Sequence, residues 1–164
     1  MHQLRHIKFS LVLFLTSLII SSCGDDDSGP SFSFKDQNLQ GTIDGKPFEF
    51  GDGTVDTLEI QGESLYFNLF DSGEPIDNVC NIFGFGEEVN LFFYVPVAVG
   101  VYELGPQTRT VTLFDPAQTL NIIVSSGAVE ILSISEDEVT GRIDARFDGN
   151  SSVNGNFSAV YCTN

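Results

Sequence analysis

The sequence predicts an all-β domain, an antiparallel β-sandwich of about ten short strands, with a β-barrel as the alternative. Three observations carry that expectation. Apolar residues recur at alternate positions from Leu39 onward. Pro and Gly interrupt the chain at short intervals. No stretch shows the spacing of an amphipathic helix.

The elements follow in order. "GTIDGKPFEF" (41–50) is a hairpin, because Asp44-Gly45 between short strands is a type I′ turn signal. "TVDTLEI" (54–60) and "LYFNLFD" (65–71) form a second pair, with Leu65, Phe67 and Leu69 on one face. "CNIFGFG" (80–86) and "VNLFFYVPV" (89–97) follow. The latter is apolar on both faces, as in a central strand or one with a face against a loop, and Pro96 marks an edge or bend. In "VGVYELG" (99–105), Tyr102 is read as a strand aromatic packed on the core. "TVTLFD" (110–115), "TLNIIVSS" (119–126) and "AVEILSIS" (128–135) continue the series, broken at Asp115-Pro116 and Gly127.

The last third repeats itself. "VTGRIDARF" (139–147) and "VNGNFSAVY" (153–161) match at alternate positions around the loop "DGNSS" (148–152). Val139, Gly141, Ile143, Ala145 and Phe147 correspond to Val153, Gly155, Phe157, Ala159 and Tyr161. A hairpin with Phe147 facing Val153 puts Ile143 opposite Phe157 and every apolar residue on one face. The other face, with Thr140, Arg142, Asp144, Arg146, Asn154, Asn156 and Ser158, is expected to be solvated.

The chain begins differently. Arg5 and Lys8 precede an apolar run from Phe9 to Ile20, too short to span a membrane comfortably but proportioned like a secretory signal. Ile20-Ser21-Ser22-Cys23 resembles a bacterial lipobox, which implies cleavage before Cys23 and lipidation of that cysteine. Gly24-Asp25-Asp26-Asp27 resembles the acidic export signal of Bacteroidota surface lipoproteins. That resemblance assigns Asp25, Asp26 and Asp27 to export toward the outer leaflet; as residues alone they make a solvated tether. The Gly-x-Phe-x-Ala ending is similar to the closing strands of small, mostly uncharacterised lipoprotein domains of the same group. The expected organisation is a signal peptide over 1–22, a lipidated cysteine and acidic tether over 23–38, and a β-domain over 39–164. Phe32 and Phe34 stand out in the tether as residues able to dock on the domain as a first strand.

Composition narrows the chemistry. After residue 22 the chain holds five basic residues, Lys35, Lys46, Arg109, Arg142 and Arg146, against all 23 acids, a net charge of −18. Nucleic acid is a poor partner for such a surface, since phosphate binding needs a cationic patch. Both histidines, His2 and His6, lie in the signal segment. The mature chain therefore lacks the base of Ser-His-Asp and Cys-His machinery and the usual zinc ligand. No catalytic residue, metal ligand or cofactor is assigned. Asp52 and Asp56 lie near glycines as in calcium loops, but the D-x-[DN]-x-[DN]-G spacing and terminal Glu are missing, so turn roles are preferred. Asp56-Thr57-Leu58 resembles the acceptor motif of Bacteroidota O-glycosylation, which makes Thr57 a candidate acceptor.

With Cys23 lipidated, Cys80 and Cys162 are the only thiols left. An oxidising, exported compartment favours a disulfide between them, with two separate buried thiols as the alternative. The functional expectation is an outer-membrane, surface-facing lipoprotein, held to the membrane by its lipid, whose domain is a non-catalytic binding or structural module. Its partner, protein or glycan, is not identified by the sequence. A glycan-binding accessory of a nutrient-uptake system is one rival; a carboxylate-dependent glycoside hydrolase is the other. A row of exposed aromatics distinguishes the first rival, although most tyrosines are expected on core faces.

Overall fold

The computed structural model describes residues 32–59, 63–82 and 90–162. Among the described residues ten strands form one open sheet: β1 (Gln40–Ile43), β2 (Lys46–Glu59), β3 (Glu63–Asp71), β4 (Asn90–Pro96), β5 (Gly100–Glu103), β6 (Val111–Asp115), β7 (Leu120–Val124), β8 (Gly127–Ile134), β9 (Glu138–Arg146) and β10 (Ser152–Tyr161). The strand order is β5-β8-β9-β10-β1-β2-β3-β4-β6-β7. The pairings are antiparallel apart from a short parallel contact of β10 with β2, at Val160–Thr54 and Tyr161–Val55.

The sheet is sandwich-like because it curls over a single core. Phe157 of β10 meets Phe67 of β3 and Phe93 of β4 edge-on, at 5.5 and 5.8 Å between ring centroids. Phe67 and Phe93 stack at 4.7 Å. Leu65, Phe67 and Leu69 are fully buried on one face, as their alternation requires. Leu91, Phe93 and Val95 continue that layer on β4, which is the central strand expected between β3 and β6. From the other side come Val139, Ile143, Ala145, Val153 and Phe157. The two free edges are β5 and β7, so the sheet is open rather than a closed barrel.

The first hairpin has the expected turn. Asp44 and Gly45 both take positive φ, 51° and 75°, as a type I′ turn demands. The strand after it is longer than expected. Segments 46–50 and 54–60, read as separate, are joined in β2, which bends at an irregularity between Phe50 and Asp52. Gly51 permits this: a Cβ there would lie 2.2 Å from the Glu74 carbonyl oxygen. The bend carries β2 from its partner β1 to the parallel contact with β10. The strand expected over 80–86 is also corrected in part. Val79–Asn81 is a 3-10 turn and Ile82 follows it, while 83–89 lie outside the described residues.

The closing hairpin keeps its faces but not its register. Ala145, not Phe147, pairs with Val153; Ile143 pairs with Gly155, and Gly141 with Phe157. β9 ends at Arg146, and Phe147 is 59% exposed. The Phe147 and Asp148 N–H groups both donate to the Ser151 carbonyl, which tightens the loop. The reason for the shift is volume. The Phe157 ring lies over Gly141, where a Cβ would sit 2.6 Å from ring atom Cζ. A glycine facing a phenylalanine leaves room that Ile143 could not. Because the slip is two residues, the side chains that remain within β9 and β10 stay on their own faces.

Candidate functional site

Two outer surfaces remain once the core is closed. The first is the outer face of β9 and β10, expected to be bare. Residues 32–38 instead lie along it as a strap. Ser33 N–H donates to Asp144 Oδ2 at 2.8 Å, and Asn154 Nδ2 donates to the Ser33 carbonyl at 2.9 Å. Lys35 N–H donates to Asn154 Oδ1, Asn156 Nδ2 to Asp36 Oδ1, and Asn156 N–H to the Gln37 carbonyl. The Arg142 guanidinium lies 4.6 Å from the Phe34 ring centre while its Nε pairs with Glu130. Phe32 and Phe34 pack at 5.3 Å.

The expected docking of these aromatics is thus present, but as an extended strap and not a strand. Its one bridge is Asn38–Asn156, in parallel sense. The Asn154 side chain binds the backbone of Ser33 and Lys35, and the Asn156 backbone N–H binds the Gln37 carbonyl. The strap and the sheet enclose a groove of about 540 Å³ lined by Phe32, Lys35, Asp144, Arg146, Ser152 and Asn154 among others. Asp144 is 3% exposed and pairs with Arg146 at 3.2 Å, so its charge is spent inside the protein.

The second surface is the outer face of β2, β3, β4, β6 and β7. Alternation brings Tyr66, Phe92 and Tyr94 here, which corrects the expectation that such aromatics fall on core faces. Tyr66 pairs with Tyr94 across β3 and β4, and the Tyr66 and Phe92 rings lie 6.4 Å apart. Asn68 and Thr112 are the cross-strand neighbours of Phe92, and Ile123 is the next residue beyond Thr112. Tyr94 is 36% exposed and Ile123 58%. Partial burial, and secondarily the Asp56 charge, push the Tyr66 phenol upward, so it stays a neutral donor at ordinary pH. The result is an aromatic surface edged by Asp56, Asn68 and Thr112.

Acidic side chains elsewhere are tied into the fold. Asp52 accepts from Gly53 N–H at 2.8 Å and Ile76 N–H at 3.2 Å, a turn role in place of a calcium loop. Asp115 is fully buried on β6 and pairs with Lys46 at the start of β2. The Lys46 hydrogen bond holds its carboxyl below the usual range against the opposing effect of burial. Asp71 accepts from Glu49 N–H at 2.8 Å. Burial pushes its carboxyl up, and the Glu49 charge acts in the same direction. Among the described residues no group of three or more His, Cys, Asp or Glu could hold a metal ion.

The remaining sequence-predicted residues are distributed widely. Cys80 and Cys162 form the expected disulfide, with Cα atoms 5.3 Å apart. Cys162 follows the end of β10, where it is released from strand alternation and can turn toward the 3-10 turn carrying Cys80. Thr57 is exposed on β2. Tyr102 packs against the core as expected, its hydroxyl donating to the Ala98 carbonyl and Arg109 lying 5.0 Å from its ring centre. Cys23, Asp25, Asp26 and Asp27 lie outside the described residues.

No family model matches this chain, and no curated protein or solved structure matches it.

Proposed function

We propose that the protein is a Bacteroidota-type surface lipoprotein, anchored in the outer membrane through Cys23, whose β-domain is a non-catalytic binding module. The observation that carries the binding role is the aromatic surface of Tyr66, Phe92 and Tyr94 on β3 and β4. A sheet face meant only for water has no use for two tyrosines directly opposite each other, Tyr94 among the exposed side chains. Tyr66 and Tyr94, directly opposite across β3 and β4, offer ring faces to a flat ligand, while Asn68, Thr112 and the Tyr66 phenol offer hydrogen bonds at its edge. A sugar ring has both properties, which favours glycan capture among the binding roles. The tying of Asp52, Asp115 and Asp144 to backbone donors and cations supports a non-catalytic reading of those acids.

The test is capture on a panel of neutral polysaccharides by the lipidated protein in vesicles. Tyr94→Ala and Tyr66→Ala should each weaken capture about tenfold, near 1.4 kcal/mol, with folding retained. Capture that survives both substitutions would remove this surface from the function. Cleavage of the polysaccharide, abolished by Asp71→Asn, would replace binding with carboxylate-dependent hydrolysis.

A further inference from the structure

We infer that the glycan held at Tyr66 and Tyr94 carries a free amino group and that Asp56 selects it, so that the preferred ligand is an amino sugar in its protonated form. The inference rests on the glycan-capture reading above and adds the ligand's charge to it.

Alternation settles which side chains share this face. Val55, Phe67 and Phe93 lie in the core, so Asp56, Tyr66 and Tyr94, one step along each strand, point outward. Asp56 pairs with Tyr66, and Tyr66 with Tyr94. A carboxylate and two phenol rings thus stand in one row across β2, β3 and β4. Neighbouring strands are about 4.8 Å apart, so the row is about 10 Å from end to end. Asp56 and Tyr94 are exposed, and Tyr66 is half-buried. Burial first and the Asp56 charge second push the Tyr66 phenol up, so the carboxylate acts on the ring beside it.

Charge on this face is one-sided. Along the outward rows shared by β2, β3 and β4, the only charged residues among those described are Asp52 and Asp56. Both Asp52 oxygens are taken, by the Gly53 and Ile76 N–H groups. Asp56 makes no ion pair among the described residues. The cations stand elsewhere: Lys46 with Asp115, Arg142 with Glu130, Arg146 with Asp144, and Arg109 over Tyr102. An uncharged sugar on the tyrosines would leave the Asp56 carboxylate unused. An ammonium there would meet the ring faces as a cation and the carboxylate as a hydrogen-bond donor. A uronate or sulfated sugar would face Asp56 as a like charge and be rejected. The net charge of the chain works in the same direction, drawing cations in and holding anions off.

The experiment measures binding of oligosaccharides of equal length to the lipidated protein in phosphatidylcholine vesicles. The probes are a glucosamine oligomer, its N-acetylated form and the matching glucose oligomer. The glucosamine oligomer should bind about tenfold more tightly than the other two. Asp56→Asn should weaken it about threefold to fivefold and leave the uncharged oligomers unchanged. Asp148→Asn, in the exposed loop after β9, removes the same net charge and should leave the preference intact. Equal affinity for all three probes, or equal loss in the Asp56 and Asp148 variants, would overturn the selection by Asp56 and leave glycan capture standing. Oligolysine bound as tightly as the glucosamine oligomer would overturn the assignment to a sugar. Failure of every oligosaccharide to bind would overturn both readings.

Discussion

Replacing Gly141 with alanine tests the hairpin register directly. The new Cβ would sit 2.6 Å from Phe157 Cζ and 2.5 Å from the Glu130 carbonyl oxygen of β8. Ordinary carbon contacts lie at about 3.5–4.0 Å, so the ring must withdraw by about 1 Å. Overpacking of this kind costs about 1–3 kcal/mol. Phe157→Ala, at a 4% exposed residue between two aromatic partners, should cost about 3–5 kcal/mol. With the ring gone, Gly141→Ala keeps only its clash with the Glu130 carbonyl. The double variant should therefore be less destabilised than the sum by about 1 kcal/mol or more. Urea unfolding, with m compared across all four proteins, measures each value. Additivity to within about 0.5 kcal/mol would refute the contact between Gly141 and Phe157. A companion substitution separates the registers further. Phe147→Ser should change stability by no more than about 0.5 kcal/mol if Phe147 is outside the core. The repeat-based register, with Phe147 facing Val153, requires a far larger loss.

Other perturbations address different links. Cys80→Ser with Cys162→Ser removes a crosslink between residues 82 apart, worth up to about 4.5 kcal/mol in the chain-entropy model. An unfolding midpoint unaffected by reductant would show that the bridge does not form or does not constrain the unfolded chain. The Asp115 carboxyl is depressed in the folded state, so its contribution is present above the unfolded value of 3.8 and is lost as pH falls through the folded value. Lys46→Met should lower stability at neutral pH by about 1–3 kcal/mol and flatten the acid limb of the stability profile. An acid limb identical to that of the parent would refute the pairing. Asp71 has the opposite sign: its raised folded value means stability gained as pH falls through it. Asp71→Asn should therefore abolish a small stabilisation between the folded value and 3.8, and an unaltered profile there would count against its burial. Cys23→Ala should release the protein from membranes; a variant that still fractionates with them at parental mass would exclude lipidation at that residue.

Much of the architecture is written in local pattern. Asp44-Gly45 specifies its turn because positive φ at two successive positions suits few residue pairs. The alternation of Leu65, Phe67 and Leu69, or of Leu91, Phe93 and Val95, determines which face is buried, since a strand sends every second side chain the same way. The thiol count after Cys23 pointed to the Cys80–Cys162 bridge. Other features depend on what lies across the sheet. The register of β9 and β10 turns on the Phe157 ring filling the space above Gly141, which no pairing of repeats along the chain can express. The union of two expected strands in β2 depends on Glu74 crossing over Gly51. Phe32 and Phe34 announced docking, but the groups that hold the strap, Arg142 over the Phe34 ring with Asp144, Asn154 and Asn156 beside it, looked like an ordinary wet face. Tyr66 and Tyr94 gather into one surface only when β3 and β4 pair in register. The sequence by itself determined most of the strands, their inward faces and the Cys80–Cys162 crosslink, because those follow from periodicity and chemistry within each segment. The curl of the sheet, the strap and the aromatic surface were decided by tertiary structure, because each is set by the volumes and donors of residues far away in the chain.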